Sequence, residues 1–304
     1  RLFIFIFTKG MSMDLNKKFP EKRVIITGAG SGLGRALALE FARRGWKIAI
    51  AEINDERAVE SAGMVKEEGG IPLTIHCDVT KPEDFENVLK IVEKEWRGVD
   101  ILINNAGVAS AGWFEKIPLE KWDWIIEINL MSIIYGCRTF IRYFKESGKG
   151  GYIVNVASNA GIASLPEMVS YNTTKAAVIS LSETLKTELS KINVGVSVVC
   201  PTFFKTNLMD QFTSPDERQR NMANIFFGNA KGTSEQIAVH TVKSIEKNRL
   251  YVVTQKDGRN MWILKRLMPE TYFKVFCFLY KKGIFEKHLE TLLKIMNIAV
   301  PRLK

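Results

Sequence analysis

The chain has 304 residues, 46% hydrophobic and 25% charged, with 9 prolines. That balance can bury a sizeable core and excludes a wholly disordered chain. Its net charge of +10 is uneven, because residues 256–304 hold eleven Lys or Arg against four Asp or Glu and so carry +7.

The body of the chain shows no nucleic-acid reader motif and no basic face, so no nucleic-acid partner is expected. Cys77, Cys137, Cys200 and Cys277 are scattered, as are His76, His240 and His288. Neither a metal site nor a disulfide framework is expected, and a cytoplasmic, reducing setting fits best. No run approaches 18 uninterrupted apolar residues, so a spanning helix is not expected.

Residues 1–20 are read as an N-terminal extension. The apolar run Leu2–Phe7 is shorter than the core of a secretory signal and lacks a small-residue cleavage site. It reads either as upstream or appended sequence, or as a short hydrophobic anchor or pairing strand. From Lys22, short β-branched runs alternate with segments of helical period. The strands are expected at Val24–Thr27, Ile48–Ala51, Leu73–Cys77, Ile101–Asn104, Tyr152–Val156, Val194–Cys200 and Leu250–Val253. Helices are expected at Leu33–Arg44, Glu56–Glu68, Pro82–Trp96, Leu119–Lys145, Val169–Lys191 and Ser234–Lys247. The strands lack strict alternation, as strands buried on both faces do. The pattern predicts an α/β, Rossmann-like doubly wound parallel sheet of about seven strands over residues 21–255, with a C-terminal helical extension over 256–304.

Thr27-Gly28-Ala29-Gly30-Ser31-Gly32-Leu33-Gly34 follows the first strand and opens the first long helix. Glycines allow a tight turn and a close approach of backbone N–H groups to a pyrophosphate at a helix N-terminus. The spacing is not G-x-G-x-x-G, since Leu33 and Arg35 stand where the last glycine would fall. Glu52 ends the second strand, where a carboxylate can accept bonds from ribose hydroxyls and repel a 2′-phosphate. No Lys or Arg lies within the turn or at Ile53 and Asn54 to neutralise such a phosphate. NAD is therefore expected over NADP.

Tyr171 and Lys175 lie one helical turn apart on one face. A free phenol has pKa about 10, too high for a base near neutrality. An adjacent ammonium, joined by an oxidised nicotinamide, would lower it and allow proton exchange with an alcohol. Alone, the pair reads equally as a packed aromatic beside a lysine. Ser158 ends the fifth strand at the carboxyl edge, where its hydroxyl could steady a reacting oxygen or merely cap the following turn.

Thr27-Gly28-x-x-x-Gly32-x-Gly34, Asp78-Val79, Asn104-Asn105-Ala106-Gly107, Asn129, Ser158 and Tyr171-x-x-x-Lys175, in that order over about residues 21–255, resemble the short-chain dehydrogenase/reductases. The resemblance implies that Tyr171 is the acid/base, Ser158 orients the substrate oxygen, and Lys175 binds ribose and lowers the phenol pKa. Asn129 would be linked to Lys175 through water. It further implies cofactor contacts from Gly28, Gly30, Ser31, Gly32, Leu33, Gly34, Glu52, Asp78 (to adenine), Val79, Asn105, Ala106, Gly107, Pro201 and Thr206. A homodimer or homotetramer built on the helices near 119–145 and 169–191 is also implied. One departure is Cys200-Pro-Thr-Phe-Phe-Lys-Thr206, where the family usually has Pro-Gly; the wording resembles an uncharacterised bacterial oxidoreductase subgroup.

Leu208, Met209, Phe212, Met222, Ile225, Phe226 and Phe227 form an apolar segment, read as a lid over a hydrophobic alcohol or ketone or as core under a long loop. Trp262, Ile263, Leu264 and Leu267, then Phe273, Phe276, Cys277, Tyr280, Ile284, Leu289, Leu292, Leu293 and Met296, recur at helical spacing among lysines. Such basic amphipathic helices dock on their own domain or a partner, or lie on an anionic membrane. The expected activity is hydride transfer between NAD and a secondary alcohol or ketone. The alternative is a non-catalytic nucleotide sensor or membrane-binding or partner-binding protein.

Overall fold

The computed structural model describes residues 14–284 apart from 229 and 231. The expectations for Leu2–Phe7 and for Leu289, Leu292, Leu293 and Met296 lie outside the described residues. In chain order the elements begin with α1 (Leu15–Lys18), β1 (Arg23–Thr27), α2 (Gly32–Ala42), β2 (Lys47–Glu52), α3 (Asp55–Glu67), β3 (Ile71–His76), α4 (Pro82–Trp96) and β4 (Ile101–Asn104). They continue with α5 (Leu119–Ile126), α6 (Ser132–Ser147), β5 (Gly151–Val156), α7 (Ala160–Ala163), α8 (Val169–Glu188) and β6 (Val194–Val199). The last are β7 (Phe204–Lys205), α9 (Glu217–Gly228), β8 (Gly232–Thr233), α10 (Ser234–Glu246), β9 (Tyr251–Val252), α11 (Lys256–Leu267) and α12 (Pro269–Lys281).

Seven strands pair in parallel in the order β3-β2-β1-β4-β5-β6-β9, while β7 and β8 form a separate parallel pair. The direction of winding reverses between β1 and β4, which opens a crevice at their carboxyl ends. Side chains from alternate strand positions bury against opposite helical layers. Leu37, Phe41, Trp46 and Val242 pack on one face of the sheet, and Phe85, Phe140, Phe144 and Val178 on the other. Local signals set the helix ends. Pro82 opens α4 and Arg97, in the left-handed region, closes it. Thr233 and Gln236 form a capping box on α10.

The structure corrects two expectations. The helix expected over 119–145 is interrupted by a π turn at Glu127–Met131. There the Asn129 side chain accepts from Val108 N at 2.8 Å and donates to Val108 O at 2.9 Å. This tertiary demand overrides regular helical period, and π turns often mark functional positions. By length and composition Leu119–Ser147 could cross a membrane, but Ile133, Phe140 and Phe144 within it belong to the core. The second correction concerns the N-terminal boundary, since Leu15 and Phe19 are buried and Phe19 meets Trp46 edge-on at 6.4 Å. The described part of the C-terminal extension docks on the domain, one of the readings its sequence offered. Tyr272 is buried and donates to Ala163 O at 3.0 Å, and Lys265 donates to Ile162 O at 2.6 Å. Leu267, Val275 and Phe278 remain exposed on its outer side.

Below the sheet, Arg23 and Asp100 form a buried pair at 2.7 Å, and the Asp100 carboxylate also accepts from Arg23 N at 2.9 Å. Asp100→Ala is expected to lower unfolding stability by about 3–5 kcal/mol, because it strands a buried guanidinium. A paired Arg23→Met, Asp100→Leu variant should lose less. Urea titration at constant m-value measures both, and an Asp100→Ala midpoint equal to wild type would refute the assignment.

Candidate active site

The turn after β1 is shaped by what a side chain would strike. Gly28 (φ +64°) and Gly32 (φ +52°) occupy the left-handed region. A Cβ on Gly34 would lie 2.2 Å from the Gly28 carbonyl oxygen, so only hydrogen fits between α2 and the turn. The loop after β4 is pinned to the same turn. Thr27 Oγ1 accepts from Asn105 N and Ala106 N at 3.0 and 3.1 Å. Asn105 Nδ2 donates to the carbonyls of Thr27 and Gly28 at 2.9 and 3.2 Å. Asn104 points into the sheet instead, donating to Asn155 at 2.9 Å, and Asn155 donates to Ser182 at 3.0 Å.

At the far end of the crevice, Glu52 accepts from Gly30 N at 2.9 Å and from Ile53 N and Asn54 N at 3.1 and 3.2 Å. Asp78 accepts from Thr80 N and Oγ1 at 3.1 and 2.7 Å. Against the desolvation cost of burial, these bonds hold its carboxyl below the usual range. Arg57 on α3 also reaches the cavity wall and pairs with Asp210 at 3.0 Å. The sequence offered a signal for this cation, because residue 57 sits one turn into the helix that follows Glu52. Arg35 turns away, bonded to Gly30 O, Ser61 and Glu60.

At the centre, α8 presents Tyr171 and Lys175 to the carboxyl end of β5. Ser158 Oγ accepts from Ala160 N at 3.1 Å and lies near enough to the Tyr171 hydroxyl to favour the phenolate. Ser158 therefore caps its turn while standing beside the phenol. Lys175 Nζ lies 5.7 Å from the Tyr171 ring centroid and donates to Val156 O at 3.1 Å. Burial pushes the phenol up to about 12 despite the opposing influence of Ser158, and pulls the Lys175 ammonium down to about 8. The phenol thus stands above its ordinary value rather than below it as expected. Desolvation disfavours the charged form of each group and outweighs their mutual effect here. Gly107 lets the chain pass close by, since a Cβ there would meet Asn129 Oδ1 at 3.1 Å and Lys175 Nζ at 3.3 Å.

One cavity of about 550 Å³ runs through all of this. Its wall includes Gly28, Ser31, Gly32, Leu33, Glu52, Asp78, Val79, Asn105, Ala106, Gly107, Ser158, Tyr171, Lys175, Pro201 and Thr206. Gly30, Gly34 and Asn129 are not in the wall. Gly30 sits beneath the Glu52 carboxylate, Gly34 beneath the Gly28 carbonyl, and the Asn129 side chain is spent on Val108 and Thr174. The opposite end is apolar, with Phe212, Met222 and the Phe203–Phe226 stack at 5.2 Å. Glu167, Met261 and Tyr280 also line it, although the sequence reading did not assign them to the site. The last two come from the C-terminal helices, whose packing no local pattern reveals.

The family model for short chain dehydrogenase matches residues 22–217. The chain belongs to the short-chain dehydrogenase family. It is 33% identical over 261 residues to the probable oxidoreductase EphD of Mycobacterium tuberculosis, covering 83% of this chain but 44% of that protein. The chain thus spans less than half the length of that relative. It is 30% identical over 259 residues to the CLA biosynthesis dehydrogenase/reductase of Lactiplantibacillus plantarum, covering 79% of this chain and 90% of that one. A short-chain dehydrogenase/reductase of Burkholderia phymatum, solved in complex with NAD, superposes with TM-score 0.77 at 27% identity, over 82% of this chain and 94% of that one.

The burial of Lys175 predicts a pH signature of stability. A folded-state pKa of about 8 against 10.5 means the unfolded chain binds more protons between those values. The Lys175 contribution to stability is therefore expected to rise with pH from about 8 to 10.5, its penalty being complete below pH 8. Lys175→Met should be more stable than wild type at pH 7, by on the order of 3 kcal/mol, with the gap closing near pH 10.5. Urea midpoints across that range test it, and a pH-independent gap would refute it.

Proposed function

We propose that this protein is an NAD-dependent oxidoreductase that interconverts a hydrophobic secondary alcohol and its ketone. The observation that carries the reading is the convergence of Ser158, Tyr171 and Lys175 on the wall shared by the glycine turn and the apolar end of one cavity. The residues present fit a dinucleotide. Gly28 and Gly32 form a cradle that side chains would fill, α2 directs its N-terminus there, and Glu52 stands at the ribose end. Ser31, Leu33, Asp78, Val79, Asn105, Ala106, Gly107, Pro201 and Thr206 would complete that wall, with Gly30 and Gly34 acting through the shape of the turn.

When bound, the nicotinamide accepts or supplies the hydride and, oxidised, places a positive charge at the site. In the oxidation direction Ser158 holds the substrate oxygen by a hydrogen bond. Tyr171 takes the hydroxyl proton as the carbinol C–H bond breaks and the C=O bond forms. Lys175 favours the phenolate and reaches toward the ribose, while Asn129, whose side chain is spent on Val108 and Thr174, would meet a water beside Lys175 only through its backbone. In reduction Tyr171 returns the proton to the oxygen. Phe203, Phe212, Met222 and Phe226 exclude water and select an apolar substrate.

Tyr171→Phe is expected to lower kcat by about 10²–10⁴-fold, with NADH binding by fluorescence titration largely kept. Activity near wild type would refute the role. Cofactor choice is a separate matter. Glu52 favours NAD, and Arg57 is already paired with Asp210. The expected result is kcat/KM at least tenfold higher with NAD; the reverse order would make Arg57 a phosphate ligand. The same reading carries a cytoplasmic setting and a homodimer or homotetramer across α5–α6 and α8. It assigns any membrane contact to the outer face of α11 and α12.

A further inference from the structure

Glu167 stands two residues before α8 with φ at +59°, a region that a long side chain enters only at a cost. Its surroundings hold it there. The Glu167 carbonyl accepts from Gly112 N at 2.7 Å, and Gly112 and Met168 form an isolated bridge. Its carboxylate gathers donors from two distant segments. Oε2 accepts from Arg218 Nη2 at 2.5 Å and Gln219 Nε2 at 2.6 Å, both on α9. Oε1 accepts from the Tyr280 hydroxyl on α12 at 2.7 Å. The Glu167 side chain is only 10% exposed, and that of Arg218 19%.

One carboxylate thus joins the substrate loop, the C-terminal extension and the residue that leads into the tyrosine-bearing helix. Charge-assisted bonds of this kind, in a water-poor setting, are the strong ones. Glu167, Arg218, Gln219 and Tyr280 all border the cavity, beside its apolar end. Tyr280 also contacts the Trp113 ring at 6.2 Å, so α12 meets the loop after β4 as well.

We propose that Glu167 is a positioning residue that latches α9 and α12 together over the substrate end of the cavity. The C-terminal extension thereby becomes a wall of the substrate site and sizes it for long apolar alcohols or ketones. The proposal rests on the oxidoreductase reading for its substrate class, but not for the latch itself. The carboxylate accepts all three bonds, two on Oε2 and one on Oε1.

Hydrogen exchange on the full chain, without cofactor, tests the latch independently of activity. In Glu167→Ala, amides of residues 217–228 and 269–281 are both expected to exchange at least tenfold faster, with β1 and α2 unchanged. Tyr280→Phe should loosen α12 and, through the shared carboxylate, α9 to a smaller extent. Should Glu167→Ala fail to fold, Tyr280→Phe decides the matter. Glu167→Asn suits the left-handed backbone but cannot span the donors, so it should resemble Glu167→Ala. Restored protection in that variant would assign the effect to backbone geometry and overturn the latch. Acceleration confined to one of the two helices would overturn it too.

Kinetics with NAD and two probes, 2-butanol and 2-decanol, test the substrate wall. Glu167→Gln is expected to raise KM for 2-decanol at least tenfold, with kcat changed less than threefold and 2-butanol little affected. Equal changes for both alcohols would refute the sizing role. If wild type turns over no alcohol, the oxidoreductase reading fails while the exchange result still decides the latch.

Discussion

Tyr171 and Lys175 share one face of α8 where water scarcely reaches, and each is drawn toward its neutral form. A phenol and an amine in water would hold their ordinary values; here desolvation raises one and lowers the other. The site can therefore make phenolate only with help from nearby charge and hydrogen bonds. Ser158 beside the phenol favours its ionisation, and the Val156 carbonyl fixes the amine beside the ring. An oxidised nicotinamide in the adjoining crevice would supply the charge. Much of the surrounding structure serves this juxtaposition: Gly161 brings α7 against the backbone of Lys175, and Gly107 brings the loop after β4 against its amine.

The crevice itself depends on contacts too close for side chains. Gly34 rests on the Gly28 carbonyl, and Asn105 ties that carbonyl to the neighbouring strand. Glu52 has two tasks in consequence. Its carboxylate organises the turn through Gly30 N and the start of α3 through Asn54 N, yet it also faces the cavity where a ribose would sit. An ionised carboxylate has about four acceptor positions; three are used within the protein, which leaves one on Oε2 for a ribose hydroxyl.

Past β9 the chain adds two helices whose inner face is part of the site rather than an appendage. Tyr272 anchors them on α7, and Met261 and Tyr280 reach the cavity. Their outer face still exposes Leu267, Val275 and Phe278 among lysines. A helix apolar on both sides satisfies only one of them by docking on its own domain.

Periodicity and motif order alone made the alternating strands, the glycine turn, Ser158 and the Tyr171–Lys175 pair legible, because each depends on residues close together in the chain. Strand limits moved by a residue or two, as at β3 and β9. Other features stayed hidden because they depend on contacts between distant segments. The π turn at Asn129 follows from its bonds to Val108, 21 residues away. Arg57 matters through Asp210, and Glu167 through Arg218 and Tyr280, none of them neighbours in the chain. The phenol's pKa belongs to the same class. Local spacing could set an ammonium beside it, but only the folded packing decides how much water both groups lose, and that loss is the larger effect.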